Sequence, residues 1–393
     1  MLITLIAASS ISIAALAPAS AFAANPSSVL SSTPDSLGRA LGGSGRAKLV
    51  WDVLRAGGDP VATPPERLGR QARDRLRELG PPAYRLLTRS VAACGTTKLL
   101  LGLPAGDEVE TVIIPNSEDN FSTLCVSSQV GCRQACSFCL TGTMGLQRSL
   151  GTGEILAQVH AAMAEVSGSS TLPRLRNVVF MGMGEPADNV PNVEEALAAM
   201  VHPHGFQLAK NHVCVSTVGP DPARIKRLSK LPARLAWSAH AADDGLRKLL
   251  VPTTRHSMAA LRDAWKETLA ERGDRGLMVE VTLIDGVNDG VSHADQLVEL
   301  LSPLPGKTRV NVIPYNANAG LGVAGQLFQP SPNEAVRAFH HRVLERGLIC
   351  TTRVQRGDDQ SAACGQLATG ERRRRQRRAG THHPRREPEP RLT

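Results

Sequence analysis

Aromatic side chains are scarce in this chain: three Trp, two Tyr and seven Phe make up 3% of 393 residues. That is thin for a protein that grips RNA by stacking many bases on flat rings. Long apolar runs are scarce too. Outside the first 23 residues none reaches the roughly 18 residues that read as a membrane span, so no stable membrane association is expected. Excess charge is missing from the body of the chain. The net charge is +9, but residues 371–393 hold nine Arg against three Glu, a net of +6, which leaves +3 for the other 370 residues. The field sits in the tail, so composition alone does not mark a nucleic-acid binder. The 35 Gly and 26 Pro follow no period, which excludes collagen-like and coiled-coil chains. What is present, 42% hydrophobic and 21% charged residues, is enough for a sizeable core in two or three units.

Residues 1–23 carry no charge, and their apolar stretch Leu2–Ala17 is followed by Ala19-Ser20-Ala21-Phe22-Ala23. Small residues after an apolar core read as a signal-peptide cleavage region, although the usual basic start is missing. Asn25 to Ser44 is rich in Ser, Gly and Ala, with only Asp35 and Arg39 charged. The combination resembles the two-part plastid presequence of algae with secondary plastids, with Phe22 as the first residue of the transit segment. A mispredicted start, a cytoplasmic protein or an ordinary secretory signal are the alternatives. Residues 1–44 are therefore expected to be a disordered presequence, and the basic, Pro-containing stretch 371–393 a disordered tail.

Between these ends, helical spacing (Leu49, Val50, Val53, Leu54, then Leu76, Leu79) interrupted by Gly57-Gly58 and Pro64-Pro65 predicts a small helical module. Apolar runs at Lys98–Pro104 and Val109–Ile114 around Ala105-Gly106-Asp107 predict a hairpin, completing an accessory unit over 45–117. From 118 to 370 the rhythm becomes short strands alternating with helices. Strands are expected at Thr123–Ser127, Asn177–Met181, His212–Ser216, Arg234–Ser238, Met278–Ile284, Arg309–Ile313 and Cys350–Val354. Helices are expected at Gly153–Val166, Val193–Met200, Met258–Arg272, His293–Leu301 and Asn333–Arg346. About six β–α units imply an α/β fold whose parallel sheet curves into a full or partial TIM-type barrel, with its chemistry at the C-terminal strand ends.

Three of the eight cysteines fall within eight residues, Cys132-Arg-Gln-Ala-Cys136-Ser-Phe-Cys139. This clustering is unlike a disulfide framework and suits metal ligation or catalysis. Three thiolates on a four-iron cluster leave one iron without a protein ligand, a place to bind and reduce a substrate. Zinc is the rival and needs a fourth ligand, for which His160 is the nearest downstream histidine, placed by periodicity on an outer helix.

The spacing, with Phe138 before the last Cys, is the motif of radical S-adenosylmethionine (SAM) enzymes. Further blocks narrow the resemblance: Cys125-Val-Ser-Ser-Gln-Val-Gly-Cys132, Phe180-Met-Gly-Met-Gly-Glu-Pro186, Asp285-Gly-Val-Asn-Asp-Gly290, Arg356-Gly-Asp-Asp359 and Ala362-Ala-Cys-Gly-Gln-Leu367. In order and spacing they resemble the RlmN/Cfr family of adenine methyltransferases, from about Gly45 to Gly370. The resemblance implies a partial (β/α)6 barrel with a small helical N-terminal module. It also implies a [4Fe-4S] cluster on Cys132, Cys136 and Cys139, and SAM as cofactor.

Residue by residue, Cys364 resembles the family thiol that is methylated by one SAM and then passes the carbon to adenine after a radical from a second SAM removes a hydrogen. Cys125 resembles the thiol that assists proton loss and closes a transient disulfide with Cys364. Gly184, Glu185, Ser216, Ser238, Ala239, His240 and Asn316 match cofactor-contacting positions; a bulkier apolar residue usually stands where Ala239 does. Glu110, in Glu-Thr-Val-Ile-Ile-Pro, matches a proposed proton acceptor, while on its own it reads as a solvated hairpin charge. Cys94, Cys214 and Cys350 match no motif position. Lys226, Arg227, Arg247, Lys248 and Arg255 read as phosphate contacts or as a solvated outer face.

The activity so implied is methylation of C2 of an adenine in 23S-type ribosomal RNA, and of the tRNA adenosine 3′ of the anticodon, with an electron donor such as flavodoxin or ferredoxin. C8-directed methylation shares every residue named. A non-catalytic RNA-binding scaffold and a zinc-ribbon-like structural protein are the readings from other classes.

Overall fold

The computed structural model describes residues 28–273, 276–318, 321, 327–354, 356–357, 360–363 and 365–368. Three helices come first: α1 (Pro34–Leu41), α2 (Ser44–Arg55) and α3 (Arg70–Leu79). Strands β1 (Arg85–Val91), β2 (Thr97–Gly102), β3 (Glu108–Asn116) and β4 (Phe121–Cys125) follow as an antiparallel meander. Short strands β5 (Gln129–Cys132) and β6 (Gly145–Ser149) form a separate two-stranded ribbon. The rest alternates: α4 (Thr152–Ser167), β7 (Leu175–Phe180), α5 (Val190–Val201), β8 (Val213–Thr217), α6 (Pro222–Arg227), β9 (Arg234–Ser238), α7 (Asp244–Leu250), α8 (Met258–Glu271), β10 (Met278–Leu283), α9 (Val291–Leu301), β11 (Arg309–Pro314), α10 (Asn333–Glu345) and β12 (Ile349–Thr352).

One ten-stranded sheet runs β1-β2-β3-β4-β7-β8-β9-β10-β11-β12 and is parallel from β4 onward. Six β–α units thus start at β4, and β12 adds a seventh parallel strand. The expected strands and helices of this region are all present within a few residues. The hairpin assigned to the accessory unit is continuous with the barrel's own sheet through β3–β4 pairing.

The barrel is open, because edge strands β1 and β12 do not pair with each other. The segment after β12 spans the gap. Arg356 Nη1 donates to Pro115 O at 2.9 Å, Lys98 Nζ to Ser361 O at 2.9 Å, and the Ala368 amide to Glu110 Oε2 at 2.8 Å.

The expectation that residues 1–44 lie outside the fold is corrected for 28–44. Val29, Leu30 and Leu37 are wholly buried, and the Val29 amide donates to Gly80 O at 3.1 Å. Helix α1 has an N-cap Thr33 whose hydroxyl accepts from the Ser36 amide, Pro34 in its first turn, and Gly42 with φ of 76° just past its end. These are ordinary start and stop signals. The uncharged residues of this stretch, Val29, Leu30, Leu37 and Leu41 among them, pack into the core. Residues 1–27 and 371–393 lie outside the described residues.

The helical module docks on α4. Gly57, at φ of 79°, comes so near that a Cβ there would stand 2.3 Å from Ala164 Cα. His160, expected on the outside, is buried at this seam: its Nε2 meets Gly58 O at 3.0 Å and its Nδ1 meets the Tyr84 hydroxyl at 2.8 Å. The carbonyl partner puts the proton on Nε2, so Tyr84 donates to Nδ1. Arg55 reaches Gly205 O, and Trp51 meets Phe206 edge-on at 5.2 Å.

Candidate active site

The three clustered cysteines lie on the excursion that β5 and β6 make at the C-terminal end of β4. Cys132 ends β5, and the loop turns back through a Cys139-amide bond to Cys136 O at 3.0 Å. Its position is set from the barrel side. Ser137 bonds to Leu249 O and Leu250 O, and Thr253 Oγ1 donates to Gln134 Oε1 at 2.7 Å. All three thiols are free and line one cavity of about 120 Å³. Burial raises the pKa of each, that of Cys136 to about 12, so ligation has to displace protons.

Among the described residues no three Cys, His, Asp or Glu groups converge as ligands of a single ion. A four-iron cluster binds each thiolate through a different iron, so its ligands ring a cavity instead of meeting at a point. The three thiols around one cavity are a donor set and a placement that fit such a cluster. His160 is far from candidacy, held in the helical seam.

Gly184, Glu185, Ser216, Ser238 and His240 line the same cavity. Each follows or ends a barrel strand, where successive strand ends converge. Gly184 has φ of 102°, and a Cβ there would lie 2.8 Å from the Gln129 amide, so only glycine permits this approach. Glu185 Oε1 accepts from the Ala187 amide and Oε2 from the Val218 amide, both at 2.9 Å. Burial nevertheless pushes its carboxyl up to about 7.

His240 sits at φ of 58°, a left-handed conformation costly for a non-glycine. Its backbone is held by Glu280 O and by Asn288, and its ring meets Phe138 edge-on at 4.7 Å. The Thr282 amide donates to Nδ1, so the neutral tautomer carries its proton on Nε2. Burial, then the Arg247 charge, hold His240 well below the usual histidine range, so it is neutral. The backbone of Ala239 is engaged within the protein: its amide donates to Glu280 O at 3.0 Å and its carbonyl accepts from Arg247.

Arg247 is a correction. It is 1% exposed, not an outer-face cation, and it binds the carbonyls of Ser238, Ala239 and Val218 at the base of the site. Burial lowers it to about 10, still a cation at neutral pH. Lys226 pairs with Glu267 on the outside.

Glu280 is a cavity residue that sequence reasoning missed. Register places Ser238, Glu280 and Asn311 side by side on β9, β10 and β11. Ser216 Oγ donates to Glu280 Oε2 at 3.2 Å, Asn311 Nδ2 to Oε1 at 3.3 Å, and the Ser216 and Ser238 hydroxyls are 3.0 Å apart. The signal was there: Glu280 and Thr282 alternate with apolar residues along an otherwise buried strand, the mark of an inward polar face.

A second cavity, about 310 Å³, opens beside the first and holds Cys125, Asn316, Arg353, Ala362 and Ala363. Met181, Ile313 and Leu367 line both cavities. Cys364 lies outside the described residues, but its neighbours bracket the join: Ala363 lines the larger cavity and Gly365 the smaller. Gly365 O accepts from the Leu140 amide at 2.7 Å, and Leu367 O from Thr141 Oγ1 at 2.7 Å, tying this segment to the cysteine loop. Glu110 is not the solvated hairpin charge its local sequence suggests. It is 3% exposed and paired with Lys98.

Residues 126–300 match the Radical SAM superfamily. The dual-specificity RNA methyltransferase RlmN of Geobacter sulfurreducens is 40% identical over 294 residues, 75% of this chain and 76% of that protein. The chain belongs to the RlmN family. A radical SAM methyltransferase crystal structure from Sphaerobacter thermophilus superposes with a TM-score of 0.76 at 33% identity, covering 87% of this chain and 99% of that one. As a member of the RlmN family this protein is a radical SAM methyltransferase that uses a [4Fe-4S] cluster and SAM. Its cysteine loop and the strand-end cavity are the parts of the fold that fit these cofactors.

Proposed function

We propose that this protein methylates C2 of an adenine in 23S-type ribosomal RNA and in the tRNA position 3′ of the anticodon, by ping-pong exchange through Cys364 and Cys125. The carrying observation is that Cys125 and both neighbours of Cys364 border two cavities that share a wall, one of them ringed by Cys132, Cys136 and Cys139. The dual-specificity character of the Geobacter sulfurreducens relative supports two RNA substrates.

Cys132, Cys136 and Cys139 would hold the cluster, and Gly184, Glu185, Ser216, Ser238, Ala239, His240 and Asn316 would hold SAM. When bound, the pair supplies the radical chemistry that an unreactive adenine carbon requires. A flavodoxin- or ferredoxin-type donor would deliver the electron. Cys364 takes a methyl group from one SAM and presents it to the base. After the carbon–carbon bond forms, the C2 hydrogen leaves as a proton and the one surplus electron of the radical adduct would return to the oxidised electron-transfer partner; the Cys125 thiolate then attacks the Cys364 sulfur. The carbon–sulfur bond breaks with its electron pair on carbon, which takes a proton, and an external dithiol later reduces the disulfide.

The test is anaerobic reconstitution with SAM, a reductant and unmodified rRNA or tRNA, followed by nucleoside mass spectrometry. We expect 2-methyladenosine from both RNAs. 8-Methyladenosine would move the activity to the sister reaction, and cofactor cleavage without any methylated base would overturn the reading.

The plastid assignment narrows to residues 1–27, since packing claims the chain from Ser28. A fluorescent protein fused to residues 1–27 is expected to reach plastids; a uniform cytosolic signal would end that proposal.

A further inference from the structure

The segment that carries Cys364 is fastened at both ends by one buried ion pair. Lys98 on β2 and Glu110 on β3 are diagonal cross-strand neighbours, their Nζ and Oε1 3.2 Å apart, with side chains only 5% and 4% exposed. Each also binds a backbone group of the segment. Lys98 Nζ donates to Ser361 O at 2.9 Å, and Glu110 Oε2 accepts from the Ala368 amide at 2.8 Å. The two attachment points lie three residues before and four after position 364. Ser361 is itself held at φ of 48°, a conformation a serine rarely keeps without outside support.

A buried ion pair is weak evidence for stability alone, because a well-packed apolar pair of the same volume does about as well. What apolar side chains cannot supply is a donor for Ser361 O and an acceptor for the Ala368 amide at fixed positions. Both Glu110 oxygens are engaged, one by Lys98 and one by a backbone amide, which is the work of an anchor rather than of a base awaiting a proton.

We propose that Lys98 and Glu110 form a clamp that sets the separation of Cys364 from Cys125, and that both are positioning residues for the thiol exchange. The proposal rests on the reading that these two cysteines are the exchange pair. It assigns Lys98 a role and gives Glu110 one other than proton acceptor.

The test compares holoenzyme carrying Lys98→Met, Glu110→Gln, both together, and Lys98→Arg. Glutathione disulfide oxidises the two thiols to the Cys125–Cys364 bond, releasing two glutathiones, and non-reducing peptide mass spectrometry reads the equilibrium without any RNA. Loosening the clamp should lower that equilibrium at least about tenfold and RNA methylation by up to about 10²-fold, the scale of a 1 Å misplacement. The KM for SAM should stay unchanged. The double variant should be no worse than either single one, since the pair acts as a unit, and Lys98→Arg should regain most of the loss.

If Glu110→Gln alone loses methylation while Lys98→Met matches wild type in both readouts, Glu110 is a proton acceptor and the clamp is wrong. If wild type forms no Cys125–Cys364 bond, the exchange reading fails on its own. Hydrogen exchange then decides the clamp: faster exchange of the Ala368 amide in Glu110→Gln supports it, and unchanged exchange overturns it. The near-isosteric Glu110→Gln carries the test if Lys98→Met does not fold.

Discussion

Replacing Cys364 with alanine is expected to abolish RNA methylation, by at least about 10³-fold, the scale of losing one member of a covalent catalytic unit. The other sulfurs at the two cavities are already committed. Cys125 is anchored in β4, its carbonyl held by Thr111 Oγ1 at 2.7 Å, and Cys132, Cys136 and Cys139 are assigned to the cluster. Cys125→Ala should fail differently. The carbon–carbon bond can still form, but nothing attacks the Cys364 sulfur, so enzyme and RNA should remain covalently joined. A ribonuclease-sensitive shift on a denaturing gel should appear with Cys125→Ala and vanish when Cys364→Ala is added. Methylated RNA from the Cys364→Ala protein would refute the scheme.

The second large effect concerns Glu185. Its carboxylate is expected to accept from the cofactor's amino group, a charge-assisted bond of about 1.5–3 kcal/mol. Glu185→Gln should therefore weaken SAM binding roughly 10- to 150-fold. Burial lifts the free-protein pKa from 4.5 to about 7, so below that pH the carboxyl is protonated and must be ionised before it can accept. SAM affinity should fall by up to about tenfold per pH unit below 7, and the part of the slope centred there should disappear in Glu185→Gln. Calorimetric titration between pH 5.5 and 8.5 measures both.

The same shift acts on the cofactor-free fold. A carboxyl whose folded pKa is raised contributes stability that is fully present below about 4.5 and is lost as pH rises through about 7. Thermal unfolding of the apoprotein should show this loss, and SAM should reverse it above pH 7.

The Cys132-x3-Cys136-x2-Cys139 loop was legible because ligand spacing on a loop is a local property that later folding only orients. The strands were legible because parallel, doubly covered strands are short apolar runs between helices, as at Arg234–Ser238, which matches residue for residue. Ser28–Leu41 was misread because its Ser, Gly and Ala content outweighed Thr33-Pro34 and Gly42, which were correct capping signals. Arg247 was misread because a helix arginine ordinarily faces water. Here carbonyls at the end of β9 and after β8 accept from it and draw it inward.

What the linear chain determined by itself was the α/β alternation, the thiol trio and the family's motif blocks, since each depends on neighbours within a few tens of residues. Tertiary structure alone decided the rest. It put Lys98 and Glu110 against Ser361 and Ala368 across some 260 positions, and Glu280 between Ser216 and Asn311. It also brought Cys125 to the cavity bordered by Ala363. Those meetings follow from how far an open sheet curves and where its last segment crosses the gap, which is set by the packing of the whole barrel and by no local pattern of residues.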